Sequence, residues 1–282
     1  MIAAVVLAAA ASLDACTLPT TRDAAAWKSI APSDAAFLEL DALFASRDPD
    51  VRDGVGFETV VAWVYRERKV SDAALAAATA RWRDHLRCGL GATGDDRVFL
   101  RSFSALALSI AAAADLKQPW RDKAAFDADL DAALTYLAGE KDLRGWVEGA
   151  GWAHAAAHTA DWLKFLGRSP HLAPAQAARI LEAIAAKLET TTEPFVRAEP
   201  ERLAAAVVSL TRRKDFDVAA FASWANRLAA LEAAVWKATP FDPAKHAAAL
   251  NAKAALLSLY VGLDLSGAAE EAKAALAEAL KR

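Results

Sequence analysis

The sequence contains few of the residues that interrupt helices or cross-link loops. Glycine and proline number only 12 and 10 among 282 residues, and there are two cysteines. Valine, isoleucine, threonine and tyrosine do not follow the alternating pattern that is typical of strands. Alanine, the residue with the highest helix propensity, is abundant instead. These features predict an all-α fold that does not depend on a disulfide framework.

The charge pattern lacks the features of nucleic-acid and phosphate binding. The formal net charge is −3, and no run of lysine and arginine is interleaved with aromatic residues, so we expect no nucleic-acid partner. Gly89, Gly91 and Gly94 follow a predicted helix instead of a strand and lack the Lys-Ser/Thr ending of a phosphate-binding loop. Neither a Ser/His/Asp nor a Cys/His nucleophile has a local signature in the sequence.

The N-terminal residues have no charged side chain before Asp14 and form an apolar run from Ile2 to Ala11. This run is too short to cross a membrane as a helix, so it predicts a signal peptide over residues 1–15 and no transmembrane helix. A first helix buried in the fold and a misassigned start codon are the alternatives. Export would place the protein in the periplasm or on the bacterial envelope.

Cys16 ends the segment Leu13-Asp14-Ala15-Cys16. This segment is similar to a bacterial lipobox, in which the cysteine is acylated after cleavage, although Asp14 is unusual there. Cys16 is therefore a candidate for lipidation and for a lipid anchor. If cleavage falls at or before Cys16, Cys88 has no obvious disulfide partner. Residues 16–32 are predicted to form a tether.

Helix signals follow one another from Ser33 to the C-terminal region. Their spacing of roughly 20 residues predicts about eleven helices, and paired helices of about 40 residues match the period of HEAT and armadillo repeats. We predict a single domain over residues 33–282, built as an α-solenoid of stacked helical hairpins. An α/α toroid or a globular helical bundle is the alternative, because no strict sequence repeat is present. The predicted helix starts are Ser33-Asp34, Asp48-Pro49, Asp72, Asp95-Asp96, Pro119, Leu143, Pro174, Pro200 and Asp242-Pro243.

The segment with the most polar residues lies in the helix predicted from about Leu143 to Leu166. At 100° per residue, His154, His158 and Asp161 project within about 60° of one another, and Gly151 lies one turn earlier. Two histidines four residues apart can bind a divalent metal, with a carboxylate one turn further on as third ligand. The glutamate that follows the first histidine in zinc peptidases is missing. A binding site without metal, and hydrogen bonds to an adjacent helix, are the alternatives.

A second polar segment carries Arg97, Arg101 and Ser104 on one helix face. A fixed guanidinium can recognise a carboxylate or phosphate through two hydrogen bonds. The alternative is an ion pair between helices, with Glu148 or Asp161 as the partner of Arg101. Unpaired charges on apolar faces are costly, so we predict that the polar residues of the two segments converge. The candidate binding site is Arg101, Ser104, Arg144, Glu148, Gly151, His154, His158 and Asp161.

Nine tryptophans are distributed along the chain, mostly on apolar helix faces. Their positions favour packing between helices over a platform for carbohydrate.

Several segments of the chain resemble DUF2785, a bacterial family of unknown function. The resemblance spans roughly residues 33–215 and implies a helical, repeat-like fold, with no established activity, substrate or cofactor. The matching segments are Arg47 to Asp53, Asp96 to Leu106, Glu140 to Glu148, Gly151 to Asp161 and, more weakly, Glu199 to Leu203.

Two functions follow as hypotheses. The first is an interaction or ligand-binding module of the bacterial envelope, with an unidentified protein or small molecule as its partner. The second is a metal-dependent hydrolase that uses His154, His158 and Asp161. The sequence leaves open whether the protein is an enzyme.

Overall fold

The computed structural model describes Cys16 and residues 24–281. The predicted signal peptide at 1–15 and residues 17–23 of the predicted tether lie outside these residues. Within them, twelve α-helices account for nearly all regular structure, and the strands are limited to one short hairpin. The predicted all-α fold is confirmed. The stacking of helical hairpins into a solenoid stays a prediction.

One compact unit ends at Trp162. Its central element is α5 (Arg97–Lys117), which is largely buried. It packs against α4 (Asp72–His85), a 3₁₀ helix at Leu40–Ala45 and the second half of α3 (49–66). The helix α3 runs without a break through α segments at Pro49–Val51 and Glu58–Val60 and π segments at Arg52–Phe57 and Val61–Arg66. The other elements are α1 (Ala24–Ser29), α2 (Asp34–Phe37), α6 (Lys123–Gly139), β1 (Trp146–Val147) and β2 (Gly151–Trp152).

The second compact unit begins at Leu163, within α7 (Ala155–Leu166). The helices that follow α7 are α8 (Pro174–Thr190), α9 (Glu199–Thr211), α10 (Val218–Lys237), α11 (Pro243–Ser266) and α12 (Glu270–Leu280). The central element of this unit is α11, which packs against the other four of these helices.

Most predicted helix starts agree with the helix bounds of the structure. The Ser33 hydroxyl accepts a hydrogen bond from the Ala36 backbone N–H at 3.2 Å, as an N-cap serine does. The predicted start at Pro119 is wrong, because the helix begins at Lys123. There the Asp122 carboxylate caps the helix by accepting from the Ala125 N–H at 2.8 Å.

The helix predicted from Leu143 to Leu166 is also wrong in its first half. Residues 146–152 form an antiparallel hairpin that pairs Trp146 with Trp152, and the helix begins only at Ala155. The backbone φ angles of Gly149 and Gly151 are +70° and +74°, and that of His154 is +51°. Backbone in this left-handed region cannot continue an α-helix, so these residues turn the chain before α7 starts.

The prediction that Cys88 has no disulfide partner is wrong. Cys16 and Cys88 form a disulfide, with their Cα atoms 5.4 Å apart and a sequence separation of 72. The bond joins the N-terminal segment to the end of α4, where Cys88 is buried. The partner was missed because the sequence argument placed Cys16 at a cleavage site and therefore outside the fold.

Among the residues that the structure describes, two helices are long and apolar enough to span a membrane by length and composition. The first is α5, whose most apolar window is 89% buried within the fold, as expected of a core helix. The second is α11, whose window is only 44% buried. The exposed apolar residues of α11 include Leu250, Leu257, Val261 and Leu265.

Candidate functional site

Three polar residues of α5 contact three different neighbours. Arg101 pairs with Glu140, Ser102 with His158, and Ser104 with His85. Successive residues of a helix point about 100° apart, so one helix distributes these contacts around its circumference. The contacts of these residues therefore belong to separate clusters and not to one constellation.

The arginine cluster comprises Arg101, Glu140, Asp142 and Arg144. Arg101 Nε donates to Glu140 Oε2 at 2.6 Å and Nη2 donates to Oε1 at 3.0 Å, while Nη1 donates to the Cys88 carbonyl at 2.7 Å. Glu140 Oε1 also accepts from the Asp142 N–H at 2.9 Å. Arg144 in turn donates to the Asp142 carboxylate at 2.7 Å. The predicted ion pair of Arg101 is present, but its partner is Glu140 instead of Glu148 or Asp161.

Burial and pairing act against each other in the arginine cluster. Arg101, Glu140 and Asp142 are each at most 2% exposed. Burial alone would lower the pKa of Arg101, but the Glu140 carboxylate outweighs it and raises that pKa. The hydrogen bonds to Asp142 raise the pKa of Arg144. The buried acids thus hold their arginines charged, which is the arrangement expected of a structural ion-pair network.

The ring array comprises Phe103, His158, His154, Trp152 and Trp146, in order from the interior to the surface. The Phe103 and His158 ring centroids are 5.2 Å apart, and those of His158 and His154 are 5.6 Å apart. His154 stacks on Trp152 at 4.8 Å, and Trp152 meets Trp146 at 5.1 Å. The exposed fraction rises from 2% at Phe103 to 48% at Trp146, so the array connects the core to the surface.

The hydrogen bonds of Ser102 determine the tautomer of His158. The Ser102 hydroxyl donates its single proton to the Ala153 carbonyl. It must then accept from His158 Nδ1, which lies 2.7 Å from the hydroxyl oxygen. The neutral His158 ring therefore carries its proton on Nδ1, and Nε2 is its acceptor nitrogen.

Arg52 anchors the hairpin and was not among the predicted site residues. It is fully buried, and its Nη2 donates to the Ala150 carbonyl at 2.8 Å. Its guanidinium carbon lies 4.3 Å from the centre of the Phe99 ring and 4.7 Å from that of Phe103. Nε lies 2.8 Å from Asp53 Oδ1, an ion pair without the alignment of a hydrogen bond. The sequence signal was the segment Arg47 to Asp53, which was noted only as a resemblance.

Gly151 lies where the hairpin meets α3. A Cβ atom at this position would lie 3.0 Å from Pro49 Cβ and 3.2 Å from Arg52 Nη2. Only glycine combines such a close approach with a φ of +74° at little cost. The neighbouring group at Gly151 is the side-chain surface of α3.

The two tryptophans at the outer end of the ring array lie opposite each other on the hairpin. Trp146 and Trp152 are 48% and 37% exposed, and their rings are inclined at 82°. The turn between them is Glu148-Gly149-Ala150, in which Glu148 is exposed. We call Trp146, Glu148 and Trp152 the hairpin face. These exposed tryptophans depart from the expectation that the tryptophans pack between helices.

The predicted convergence of site residues is therefore divided between clusters. Arg101 and Arg144 share the arginine cluster, and His154 and His158 share the ring array. A backbone hydrogen bond joins the two clusters, from the His154 N–H to the Arg144 carbonyl at 2.9 Å. Glu148 is exposed at the hairpin turn, and Asp161 is buried on α7. Ser104 contacts neither cluster, because its hydrogen-bond partner is His85.

The histidine pair does not form the predicted metal site. Among residues 24–281 and Cys16, no group of three or more His, Cys, Asp or Glu side chains is arranged to hold a metal ion. The spacing argument failed because His154 precedes α7 and has a positive φ. His154 and His158 therefore do not project from one regular helix face with Asp161.

Residues 86–261 match the family described as Protein of unknown function (DUF2785). The chain belongs to this family. Comparison with curated proteins and with solved structures gave no match. The DUF2785 match extends further towards the C-terminus than the resemblance seen in the sequence. It includes the arginine cluster and the ring array, whereas Arg52 and the rest of α3 lie before it.

Proposed function

We propose that this DUF2785 protein is an exported binding module of the bacterial envelope that holds a positively charged group of its partner at the hairpin face. The supporting observation is the exposed pair of Trp146 and Trp152, whose rings lie 5.1 Å apart at 82°. In this edge-to-face pair, the edge of one indole ring lies against a face of the other. A ring face that stays exposed can hold a cation, because attraction to a ring face does not require a flat ligand.

Two acidic side chains near the hairpin also favour a positively charged ligand. Glu148 is exposed in the turn between the tryptophans. Asp50 is exposed on α3, next to Pro49, which approaches Gly151. A carboxylate beside aromatic faces adds Coulomb attraction for an ammonium or guanidinium group.

The hairpin is held in place before a ligand arrives. Arg52 donates to the Ala150 carbonyl in the turn, and His154 stacks on the inner side of Trp152. Side chains that are already fixed lose little conformational entropy on binding. Preorganisation of this kind supports a binding role for the hairpin face.

Export is supported by the disulfide and by the apolar N-terminal run. Disulfides persist mainly in oxidising compartments such as the periplasm. Acylation of Cys16 would occupy the sulfur atom that the disulfide uses, so we propose export without a lipid on Cys16. Mass spectrometry of the protein from a periplasmic fraction should find the Cys16–Cys88 peptide pair. An acylated Cys16 or an intact Met1 would contradict this part of the proposal.

We do not propose the metal-dependent hydrolase. Its three predicted ligands lack a metal-binding arrangement among the described residues, and no other observation favours a reaction at this site.

Calorimetric titration with choline tests the binding proposal. Its neutral isostere, 3,3-dimethyl-1-butanol, has the same shape but carries carbon in place of the charged nitrogen. We expect choline to bind about fivefold to thirtyfold more tightly than the isostere, since a cation–π contact is worth roughly 1–2 kcal/mol. Equal affinity, or no binding of choline, would contradict a cation site.

Variants then locate the site. Trp152→Ala and Trp146→Ala should each weaken choline binding about tenfold or more. Trp236→Ala is the matched control, because Trp236 is 65% exposed and has its own aromatic neighbours, Phe241 and His246. A loss of affinity in Trp236→Ala equal to that in the hairpin variants would place the binding elsewhere.

A further inference from the structure

A groove of about 490 Å³ lies in the second unit, between α9 and α11. Its walls are mainly apolar, from Ala205 and Val208 on α9 and Leu257 and Val261 on α11. Its volume is within the range of pockets that bind small molecules. The groove shares no residue with the hairpin face, so it raises a separate question of function.

The apolar walls of the groove remain open to solvent. Leu257 and Val261 are 48% and 54% exposed, one turn apart on α11. Gly262 lets the two helices approach at the floor, since a Cβ atom there would lie 3.1 Å from Val208 Cγ2. Neighbouring apolar side chains exposed on one helix face are a frequent sign of a binding surface.

Arg168 supplies a positive charge to the lining of this groove. Its Nε donates to the Ser209 hydroxyl at 3.0 Å, and its guanidinium carbon lies 5.4 Å from the centre of the Phe165 ring. Arg168 forms no ion pair with a carboxylate anywhere in residues 24–281. Burial first, and the charge of Arg212 second, lower the pKa of Arg168. An anion bound here would relieve the repulsion between the two arginines.

Glu201 is the acidic residue of the lining. It is exposed and does not pair with Arg168 in the structure. A ligand with one anionic end and a long apolar body would meet both requirements of the groove, because its acid contacts Arg168 while its chain covers the leucine and valine side chains and stays clear of Glu201.

We propose that this groove binds a long-chain fatty acid, with its carboxylate on Arg168 and its alkyl chain between α9 and α11. The carboxylate can accept hydrogen bonds from the Nη groups of Arg168, which is the geometry that a planar guanidinium favours. The alkyl chain removes the exposed walls of the groove from water. The binding involves no covalent step.

Displacement of a fluorescent fatty acid, cis-parinaric acid, tests the proposal on the full chain. Palmitate should displace the probe at concentrations at least about tenfold lower than hexadecanol, which has the same chain and a neutral head, because a hydrogen-bonded ion pair is lost with the alcohol. Equal displacement by the acid and the alcohol would overturn the role of Arg168 as the carboxylate ligand. No displacement by either would overturn the proposal that the groove binds a fatty acid.

Three variants assign the two ends of the site. Arg168→Gln should remove the advantage of palmitate over hexadecanol and leave hexadecanol binding unchanged. Leu257→Glu should weaken both ligands about tenfold or more. Leu265→Glu is the control, because Leu265 is 82% exposed on the same helix but does not line the groove. Equal effects of the Leu257 and Leu265 changes would overturn the proposal.

A membrane surface is the competing occupant of this apolar face. Vesicles of phosphatidylglycerol should bind the protein more weakly than palmitate does. If the vesicles bind, and free palmitate displaces neither the vesicles nor the probe, the face is a membrane contact and the fatty-acid site is refuted.

Discussion

The arginine cluster and the ring array start at neighbouring residues of α5 but end in different environments. Arg101 and Glu140 are 0% and 2% exposed, and the hydrogen-bonding groups of Arg101 are engaged by the protein itself. The ring array begins as deeply, at Phe103, but ends at Trp146, which is 48% exposed. A closed network has no group left for a ligand, whereas an open one presents aromatic faces to it. The comparison therefore assigns stability to the first cluster and binding to the second.

The largest expected effect on stability is in the arginine cluster. Arg101→Leu leaves the buried Glu140 carboxylate without its guanidinium, and we expect a loss of about 3–5 kcal/mol in the free energy of unfolding. Urea denaturation measures it. The control is Arg97→Leu, since Arg97 pairs with Asp95 at the surface and exposed ion pairs contribute little to stability. Similar losses in the two variants would show that the cluster is not a structural network.

The second prediction concerns His85, which bonds a serine of α5. His85 contacts Ser104 in the interior, and burial first, with the charge of Arg81 second, lowers the pKa of His85 to about 4 from 6.5. The unfolded chain therefore binds a proton between pH 6.5 and 4 that the folded protein does not. This contribution to stability is complete above about pH 6.5 and is lost as the pH falls towards 4, by about 3 kcal/mol in total.

Denaturation of the wild type and of His85→Gln between pH 7.5 and pH 5 measures this effect. Glutamine cannot take up the proton, so the wild type should lose about 2 kcal/mol more than the variant over this range. Other titrating groups are common to both proteins and cancel in the difference. Parallel curves for the two proteins would mean that His85 does not titrate as the buried environment requires.

The third prediction concerns Gly151, where the hairpin that carries the outer end of the ring array contacts α3. Gly151→Ala places a methyl group within 3.2 Å of both Pro49 and Arg52, at a φ of +74°. We expect a loss of about 1–3 kcal/mol in unfolding free energy from the strained backbone and the contact. Gly149→Ala is the matched control, because Gly149 has a similar φ of +70° but open space around it. If the two variants cost the same, contact with α3 does not hold the hairpin.

The smallest effect on stability, about 1 kcal/mol or less, is expected for Trp146→Ala. Trp146 is half exposed, and its main contact is the edge-to-face pair with Trp152, for which aromatic pairs contribute roughly 0.5–1.5 kcal/mol. Thermal denaturation measures this cost. A loss above about 3 kcal/mol would make Trp146 a structural residue and would remove the contrast between the closed and open clusters.

The sequence predicted the helices best where local chemistry decides them. Caps such as Ser33 and Asp48-Pro49 act within one turn, so their signals are complete in the sequence. The hairpin at 146–152 was missed because the alanine-rich pattern of α7 was extended backwards over Gly145, Gly149 and Gly151. Three glycines within seven residues are a turn signal, and they should have outweighed the helical periodicity.

The candidate site was predicted in part. The sequence selected Arg101, His154 and His158, which are buried, and Arg144, which is partly buried, as polar residues that need partners. It could not select Glu140 as the partner of Arg101, because that pairing depends on how α6 lies beside α5. Arg52 was missed for the same reason, since only the folded chain brings α3 beneath the hairpin.

The most direct test of the binding role is fluorine NMR of protein labelled with 5-fluorotryptophan. Each of the nine tryptophans gives one resonance, and single tryptophan-to-phenylalanine variants assign those of Trp146, Trp152 and Trp236. Titration with choline should shift the resonances of Trp146 and Trp152 and leave that of Trp236 unchanged, while the same concentrations of 3,3-dimethyl-1-butanol should shift the first two much less. Equal shifts with both compounds, or shifts at Trp236 alone, would contradict a cation site at the hairpin face.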